Sequence, residues 1–132
     1  MKKFSVVCFL GVLVVMSGCI HLKTGGQAMI SMAGASFVGN TNITLKAGQS
    51  FTFTDPAGSG GPHRLSTGQD GNYAQEDGAP AELNDPNGVD FALGTVKTYV
   101  FDTPGTYNIT CQIHPSMNIV IQVVPGSGGP SH

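Results

Sequence analysis

The sequence lacks several features that mark common classes of protein. Its 132 residues include no tryptophan, only 11% of them are charged, and the formal net charge is −2. No basic surface is therefore available to neutralise phosphates, and we expect no nucleic-acid partner. Three cysteines are too few for a small disulfide-stabilised fold. No apolar run reaches the roughly 20 residues that a membrane-spanning helix needs, and the length predicts one compact domain.

The N-terminus has the pattern of an export signal. A basic start at Lys2 and Lys3 precedes a mostly apolar, uncharged run over residues 4–15, and a Ser-Gly pair then leads to Cys19. This order resembles the bacterial lipobox, in which the cysteine is lipidated and becomes the first residue of the mature chain. We therefore predict a lipoprotein signal peptide over residues 1–18. The alternative is an N-terminal helix that is buried or that anchors the chain in a membrane.

Removal of that signal would leave a chain with one free thiol. The remaining 114 residues carry four Lys and Arg against eight Asp and Glu, a net charge of −4. Cys8 leaves with the signal and Cys19 carries the lipid, so only Cys111 remains. An unpaired thiol in an oxidising compartment needs burial or a ligand. We expect an exported monomer, lipid-anchored at the outer face of the cell membrane or in the periplasm.

The mature chain has the pattern of strand-forming segments and turn residues that is typical of an all-β protein. Segments rich in Val, Ile, Thr, Phe and Tyr alternate with Gly, Pro, Asn and Asp, and no 12-residue segment has helical apolar spacing. We predict a tether over 19–26, a β-sandwich domain with Greek-key connections over 27–124 and a flexible tail over 125–132. The predicted strands are 27–33, 42–47, 49–55, 63–67, 90–93, 96–102, 106–111 and 117–124.

One segment interrupts this regular pattern of strands. Residues 68–88, the acidic segment, hold few apolar side chains, several carboxylates and no Lys or Arg. One interpretation is a solvated surface excursion, and another is an acidic patch that attracts a basic partner. Calcium binding is a third, although the Asp-x-Asp spacing and the terminal Glu of a calcium loop are missing.

Four separated side chains form a candidate metal-binding set. Cys111, His114 and Met117 lie close together near the C-terminus, and His63 lies far upstream after a Gly-Gly-Pro turn. A thiolate, two imidazoles and a thioether are the ligands of a blue-copper electron-transfer centre. Each residue alone has an ordinary explanation, as a buried thiol, a surface or loop histidine, or a core methionine. Together, in an exported β-protein, they indicate one copper site.

Two stretches of sequence then resemble a known family. Residues 104–117, PGTYNITCQIHPSM, and residues 44–53, TLKAGQSFTF, with the later Pro-His63, are similar to the plastocyanin/azurin-type cupredoxins. The resemblance implies an eight-strand Greek-key sandwich with the metal at one end. It assigns His63, Cys111, His114 and Met117 as ligands, with Met117 axial. The Cys-x-x-His-x-x-Met loop has the short, amicyanin-like form, and Arg64 stands where plastocyanins usually carry Asn.

The expected function is that of a type 1 copper protein, a one-electron carrier and not an enzyme. The resemblance implies that the electron leaves through His114, with Ile113 and Pro115 as an apolar docking rim. We expect redox partners such as a cytochrome or a membrane oxidoreductase. The alternatives are an extracytoplasmic copper-delivery protein with the same ligands, for which Met29 and Met32 would add soft donors, and a metal-free sandwich for adhesion.

Overall fold

The computed structural model describes residues 28–126, which form ten β-strands and no helix. None of these residues therefore belongs to a helix that could cross a membrane. The signal peptide, Cys19, the tether and residues 127–132 of the tail lie outside the described range. The strands are β1 (Ala28–Ala33), β2 (Ser36–Val38), β3 (Asn42–Lys46), β4 (Gln49–Asp55), β5 (His63–Gln69), β6 (Asn72–Tyr73), β7 (Val89–Phe91), β8 (Thr95–Phe101), β9 (Gly105–Cys111) and β10 (Asn118–Val124).

Two sheets make up the fold. The first has the order β2-β1-β4-β8, and the second has the order β3-β10-β9-β5-β6, with β7 also paired to β5. The β1–β4 and β3–β10 pairs are parallel, and the remaining pairs are antiparallel. The chain changes sheet five times, between β2 and β3, β3 and β4, β4 and β5, β7 and β8, and β8 and β9. The predicted all-β sandwich is confirmed.

The strand count differs from the expected eight because two short strands escape the sequence pattern. Each of the eight predicted strands has a counterpart, while β2 and β6 are additional. They contain three and two residues. Strands this short show little alternation of apolar and polar side chains, and β7, which is equally short, was predicted only as part of a longer segment, 90–93.

Alternating side chains fill the space between the sheets. Phe51 and Phe53 of β4 are fully buried, and their rings meet edge-on at a centroid distance of 4.9 Å. From the opposite sheet, β9 contributes Tyr107, Ile109 and Cys111 on one buried face, as the sequence predicts. The thiol of Cys111 therefore lies at the end of the hydrophobic core.

The acidic segment 68–88 is packed against the sandwich. Its Leu83 is fully buried, and the carbonyl of Leu83 accepts a hydrogen bond from the Thr67 amide at 2.8 Å. The Glu76 carboxylate accepts from the backbone amide of Asn108 at 2.7 Å and from its side chain at 2.9 Å. These contacts join the segment to β5 and β9. The interpretation as a solvated excursion is wrong for Leu83 and Glu76.

Candidate metal centre

Three of the four predicted ligands belong to one compact loop. The ligand loop, Cys111 to Met117, is closed by two backbone hydrogen bonds, from the Cys111 amide to the Met117 carbonyl (3.1 Å) and from the Met117 amide to the His114 carbonyl (2.9 Å). The Thr110 hydroxyl also donates to the Met117 carbonyl at 3.1 Å. Because the loop folds back on itself, Met117 returns to the end of β9, where its side chain is buried.

The spacing of Cys111 and His114 matches two ligands of one metal ion. Cys111 is fully buried, and its Sγ lies 3.8 Å from Nδ1 of His114. Metal–sulfur and metal–nitrogen bonds of about 2.3 and 2.05 Å, at about 120°, separate the two ligand atoms by roughly 3.8 Å. The Arg64 amide donates to Sγ at 3.5 Å.

His63 reaches the same end of the sandwich from β5. The register pairs Leu65 of β5 with Cys111 of β9, and the Gln112 amide donates to the Arg64 carbonyl at 2.8 Å. The rings of His63 and His114 consequently lie 5.0 Å apart, measured between centroids. The structure thus brings His63, Cys111 and His114 together, although His63 and Cys111 are 48 positions apart in the sequence.

Both nitrogens of the buried His63 ring have partners other than the thiol. Nδ1 lies 3.1 Å from Oδ2 of Asp55, and Nε2 lies 2.8 Å from the carbonyl oxygen of Gly34. The hydroxyl of Ser59 donates to the other oxygen of Asp55. His63 and Asp55 are both fully buried. Within residues 28–126, no group of three His, Cys, Asp or Glu side chains is arranged so that it could hold a metal ion.

The sequence interpretation missed Asp55, Ser59 and Gly34. For Asp55 a signal was available, because it continues the inward phase of β4 two residues after Phe53. A carboxylate at an inward position of a strand needs a buried partner. Gly34 and Ser59 had no such signal, since they lie in turns that meet His63 only in the folded chain.

The donor set fits copper in kind. A buried thiolate candidate, two imidazoles and a buried thioether are soft and borderline donors that suit copper. The Cys111–His114 spacing fits as it stands, whereas His63 must give up one hydrogen bond before it can bind an ion. The residues present therefore fit a copper ion, except that both ring nitrogens of His63 have other hydrogen-bond partners.

Arg64, which stands where the resemblance leads one to expect Asn, points its side chain away from the ligands. Its Nε donates to Asp90 at 2.7 Å, and this bond raises the pKa of the Arg64 guanidinium above its ordinary value. The ligand loop is tied instead through Gln112, whose Nε2 donates to Ser66 and to the Pro86 carbonyl, each at 3.0 Å. Gln112 thus links the ligand loop to β5 and to the acidic segment.

Comparison with known proteins gives a consistent picture. Residues 27–124 match the profile of the copper binding proteins of the plastocyanin/azurin family. Amicyanin from Paracoccus versutus is a structural neighbour with a TM-score of 0.54 and 16% identity, over 75% of this chain and 82% of that one. A purple cupredoxin from Nitrosopumilus maritimus gives 0.55 and 19% identity, over 74% and 100%. These likenesses show the fold. No curated protein matches the chain.

Proposed function

Because the chain belongs to the plastocyanin/azurin family of copper-binding proteins, we propose that it is a type 1 copper protein that carries single electrons outside the cytoplasm. Its cofactor is one copper ion, which supplies one-electron oxidation and reduction when bound. Cys111, His63, His114 and Met117 are the residues that would hold it. Membership of this family leaves no support for the metal-free adhesion module.

The observation that carries this proposal is the meeting of Cys111, His63 and His114 at one end of the sandwich. The Cys111 sulfur and His114 Nδ1 are 3.8 Å apart, and the two imidazole rings are 5.0 Å apart. A thiolate with two imidazoles is the donor set of a blue-copper electron-transfer site.

The surroundings of these ligands are suited to electron transfer. Cys111 and Met117 are fixed by backbone hydrogen bonds at the end of a packed core, so a change of charge at the site moves the protein little. No side chain of the proposed set has to form or break a covalent bond with a substrate. We therefore propose a carrier without an enzymatic activity.

His114 provides the route by which an electron would leave. Its side chain is half-buried, and its neighbours Ile113 and Pro115 are exposed, Ile113 to 45%. We assign these two residues to the docking rim for a redox protein such as a cytochrome or a membrane oxidoreductase. Ile113→Asp should slow electron exchange with such a partner, while Val100→Asp, an equally exposed site on the first sheet, should leave it unchanged. Equal rates for both variants would reject the rim.

The location outside the cytoplasm rests on the sequence alone. Cys19 and the signal lie outside the described residues, and the first described residue, Ala28, is nine positions after Cys19. The proposal predicts that the mature protein is anchored through a lipid on Cys19. Mass spectrometry of the protein isolated from membranes should detect the acylated cysteine, and Cys19→Ser should release the protein into the soluble fraction. An unmodified Cys19 would contradict the anchor.

Copper delivery is the second candidate, and the position of His63 favours it. A ligand that already has two hydrogen-bond partners can return to them when the metal leaves, which suits exchange with an acceptor. The soft donors that the sequence suggested give it little support, because Met32 is buried in the core and Met29 is 58% exposed on β1.

Voltammetry and metal retention separate the two functions. A carrier gives a reversible one-electron couple and retains Cu(I) during gel filtration with a chelator of moderate affinity. A delivery protein loses Cu(I) to the chelator within the experiment. Absence of any reversible couple in the copper-loaded protein would contradict the electron-carrier proposal.

A further inference from the structure

Asp55 is a buried carboxylate that the proposed electron carrier does not use. It is the last residue of β4, follows Phe51 and Phe53 on the inward face and is fully buried. Burial of a charged or polar group is costly unless the group is paired. Asp55 is not among the four proposed ligands, yet it contacts one of them. Because burial of this carboxylate is costly, its position beside a proposed ligand needs a functional explanation.

The carboxylate is fixed from several directions. Ser59 donates its hydroxyl to one oxygen, and Nδ1 of His63 lies 3.1 Å from the other. The backbone carbonyl of Asp55 accepts the Gly94 amide at 2.6 Å. Ser59 is in turn linked to the β1–β2 turn, because its carbonyl accepts the Gly34 amide. Asp55 is thus held in place to face His63.

The partners of His63 identify which nitrogen can bind a metal. A backbone carbonyl only accepts hydrogen bonds, so Nε2 must donate its proton to Gly34 at 2.8 Å. Nδ1, the nitrogen beside Asp55, is therefore the one that can offer a lone pair to a metal ion, once its hydrogen bond with Asp55 is broken. His114 likewise presents Nδ1 to the Cys111 sulfur. The atom of His63 that is left to bind copper is thus the atom that Asp55 contacts.

We propose that Asp55 is a positioning residue that holds His63 in the metal-free protein, and that His63 exchanges Asp55 for the copper ion while it keeps its bond to Gly34. The inference rests on the proposed ligand role of His63. When copper is taken up, the contact with Asp55 breaks and its proton leaves Nδ1 for Asp55 or solvent; when copper leaves, the proton returns and the contact forms again. Asp55 therefore sets how fast the site loads and unloads.

Asp55→Asn tests this role with little change in side-chain size. An amide can make only a neutral hydrogen bond to Nδ1, whereas the carboxylate pairs with the proton on the ring in a charge-assisted bond that is roughly twice as strong. The difference between two such bonds corresponds to about one decade in rate, so we expect copper uptake by the metal-free variant to be about tenfold faster. Stopped-flow absorption of the copper–thiolate band measures the uptake. Asp102→Asn, an exposed position beyond β8, is the matched control and should load at the wild-type rate.

A second measurement needs no variant and decides the matter even if Asp55→Asn fails to fold. Long-range ¹H–¹⁵N spectra of the wild-type protein, metal-free and loaded with Cu(I), report which nitrogen of His63 keeps its proton. We expect Nε2 to stay protonated in both forms and the Nδ1 resonance to shift on loading. Loss of the Nε2 proton on loading, with Nδ1 still at Asp55, would overturn the inference.

The two proposals fail in different ways. If the wild-type protein develops no copper–thiolate band, the proposed copper function is wrong and this inference is rejected with it. If the band develops but Asp55→Asn loads at the wild-type rate or more slowly, only the role of Asp55 is rejected.

Discussion

The two regions that supply the proposed ligands are held by different kinds of interaction. The ligand loop from Cys111 to Met117 is closed by its own backbone and by Thr110, the residue that precedes it. His63 is held by side-chain and carbonyl contacts with residues from β4 and the β1–β2 turn. The first arrangement is local in sequence, and the second depends on the whole sandwich.

This difference indicates which proposed ligands stay in place and which can change partner when a metal ion binds. Backbone hydrogen bonds close the ligand loop, and Sγ of Cys111 lies 3.8 Å from Nδ1 of His114, a spacing that we expect to change little when an ion binds. A ring held by a carboxylate can change partner without moving the backbone. We infer that the ligand loop is the permanent half of the site and that His63 is the exchangeable half.

The largest effect should come from removal of the thiol in the permanent half. Cys111→Ser replaces the only cysteine sulfur within residues 28–126, so the intense visible absorption of a copper–thiolate site should be lost completely. Ser116→Ala, an exposed change in the same loop, is the control and should keep the band. A copper–thiolate band that survives in Cys111→Ser would show that Cys111 is not the thiolate ligand.

The next largest effect should come from the hydroxyl that closes the loop. Thr110 is fully buried, accepts the Gly71 amide at 2.9 Å and donates to Met117. Thr110→Val leaves that amide without its partner and should lower the free energy of unfolding by about 1–3 kcal/mol. Denaturant unfolding measures the loss, and Thr110→Ser should recover most of it. An unchanged midpoint would show that the loop does not depend on this hydroxyl.

A smaller effect is expected where the acidic segment meets the loop. Gly71 has a φ of +77°, and an added Cβ would lie 2.9 Å from Cγ of Pro115. Gly71→Ala should cost about 1–2 kcal/mol for the backbone conformation and should shift the copper–thiolate band by moving the loop.

The control for that variant is Gly48→Ala. Gly48 has a φ of +91° but open space around its Cβ position. It should show the backbone cost without the spectral shift. An equal shift in both variants would mean that Pro115 is not the cause.

The smallest effect is predicted for the exposed pair of Arg64 and Asp90. The two side chains are 44% and 73% exposed, so solvent screens their attraction. Arg64→Ala keeps the backbone amide that donates to Cys111, and we expect no measurable change in the denaturation midpoint or the visible spectrum. A clear spectral shift would instead give this side chain a part in bracing the ligands.

Much of the fold follows from local sequence patterns. The alternation in β4 and β9 and the turn residues between strands were enough to predict eight strands and a sandwich. The two missed strands, β2 and β6, owe their pairing to neighbours in the folded sheets. The packing of the acidic segment was missed for a similar reason, because it depends on Leu83 and Glu76 reaching partners on distant strands.

The candidate site also has one part that the sequence predicts and another that it does not. Cys111, His114 and Met117 lie within seven residues, so their spacing alone indicates a common purpose. His63 could be added because its residue type completes the donor set. The orientation of its ring could not be predicted, since Asp55 and Gly34 meet it only through tertiary structure. Whether these four residues bind copper stays a prediction.

X-ray absorption at the copper edge, on protein loaded with one equivalent of copper, tests the central claim most directly. If Cys111, His114 and His63 all bind the ion, the spectrum should show one short copper–sulfur distance and two imidazole nitrogens. His63→Ala should then lose one of the two imidazoles. A spectrum without the short sulfur, or one that His63→Ala leaves unchanged, would contradict the account.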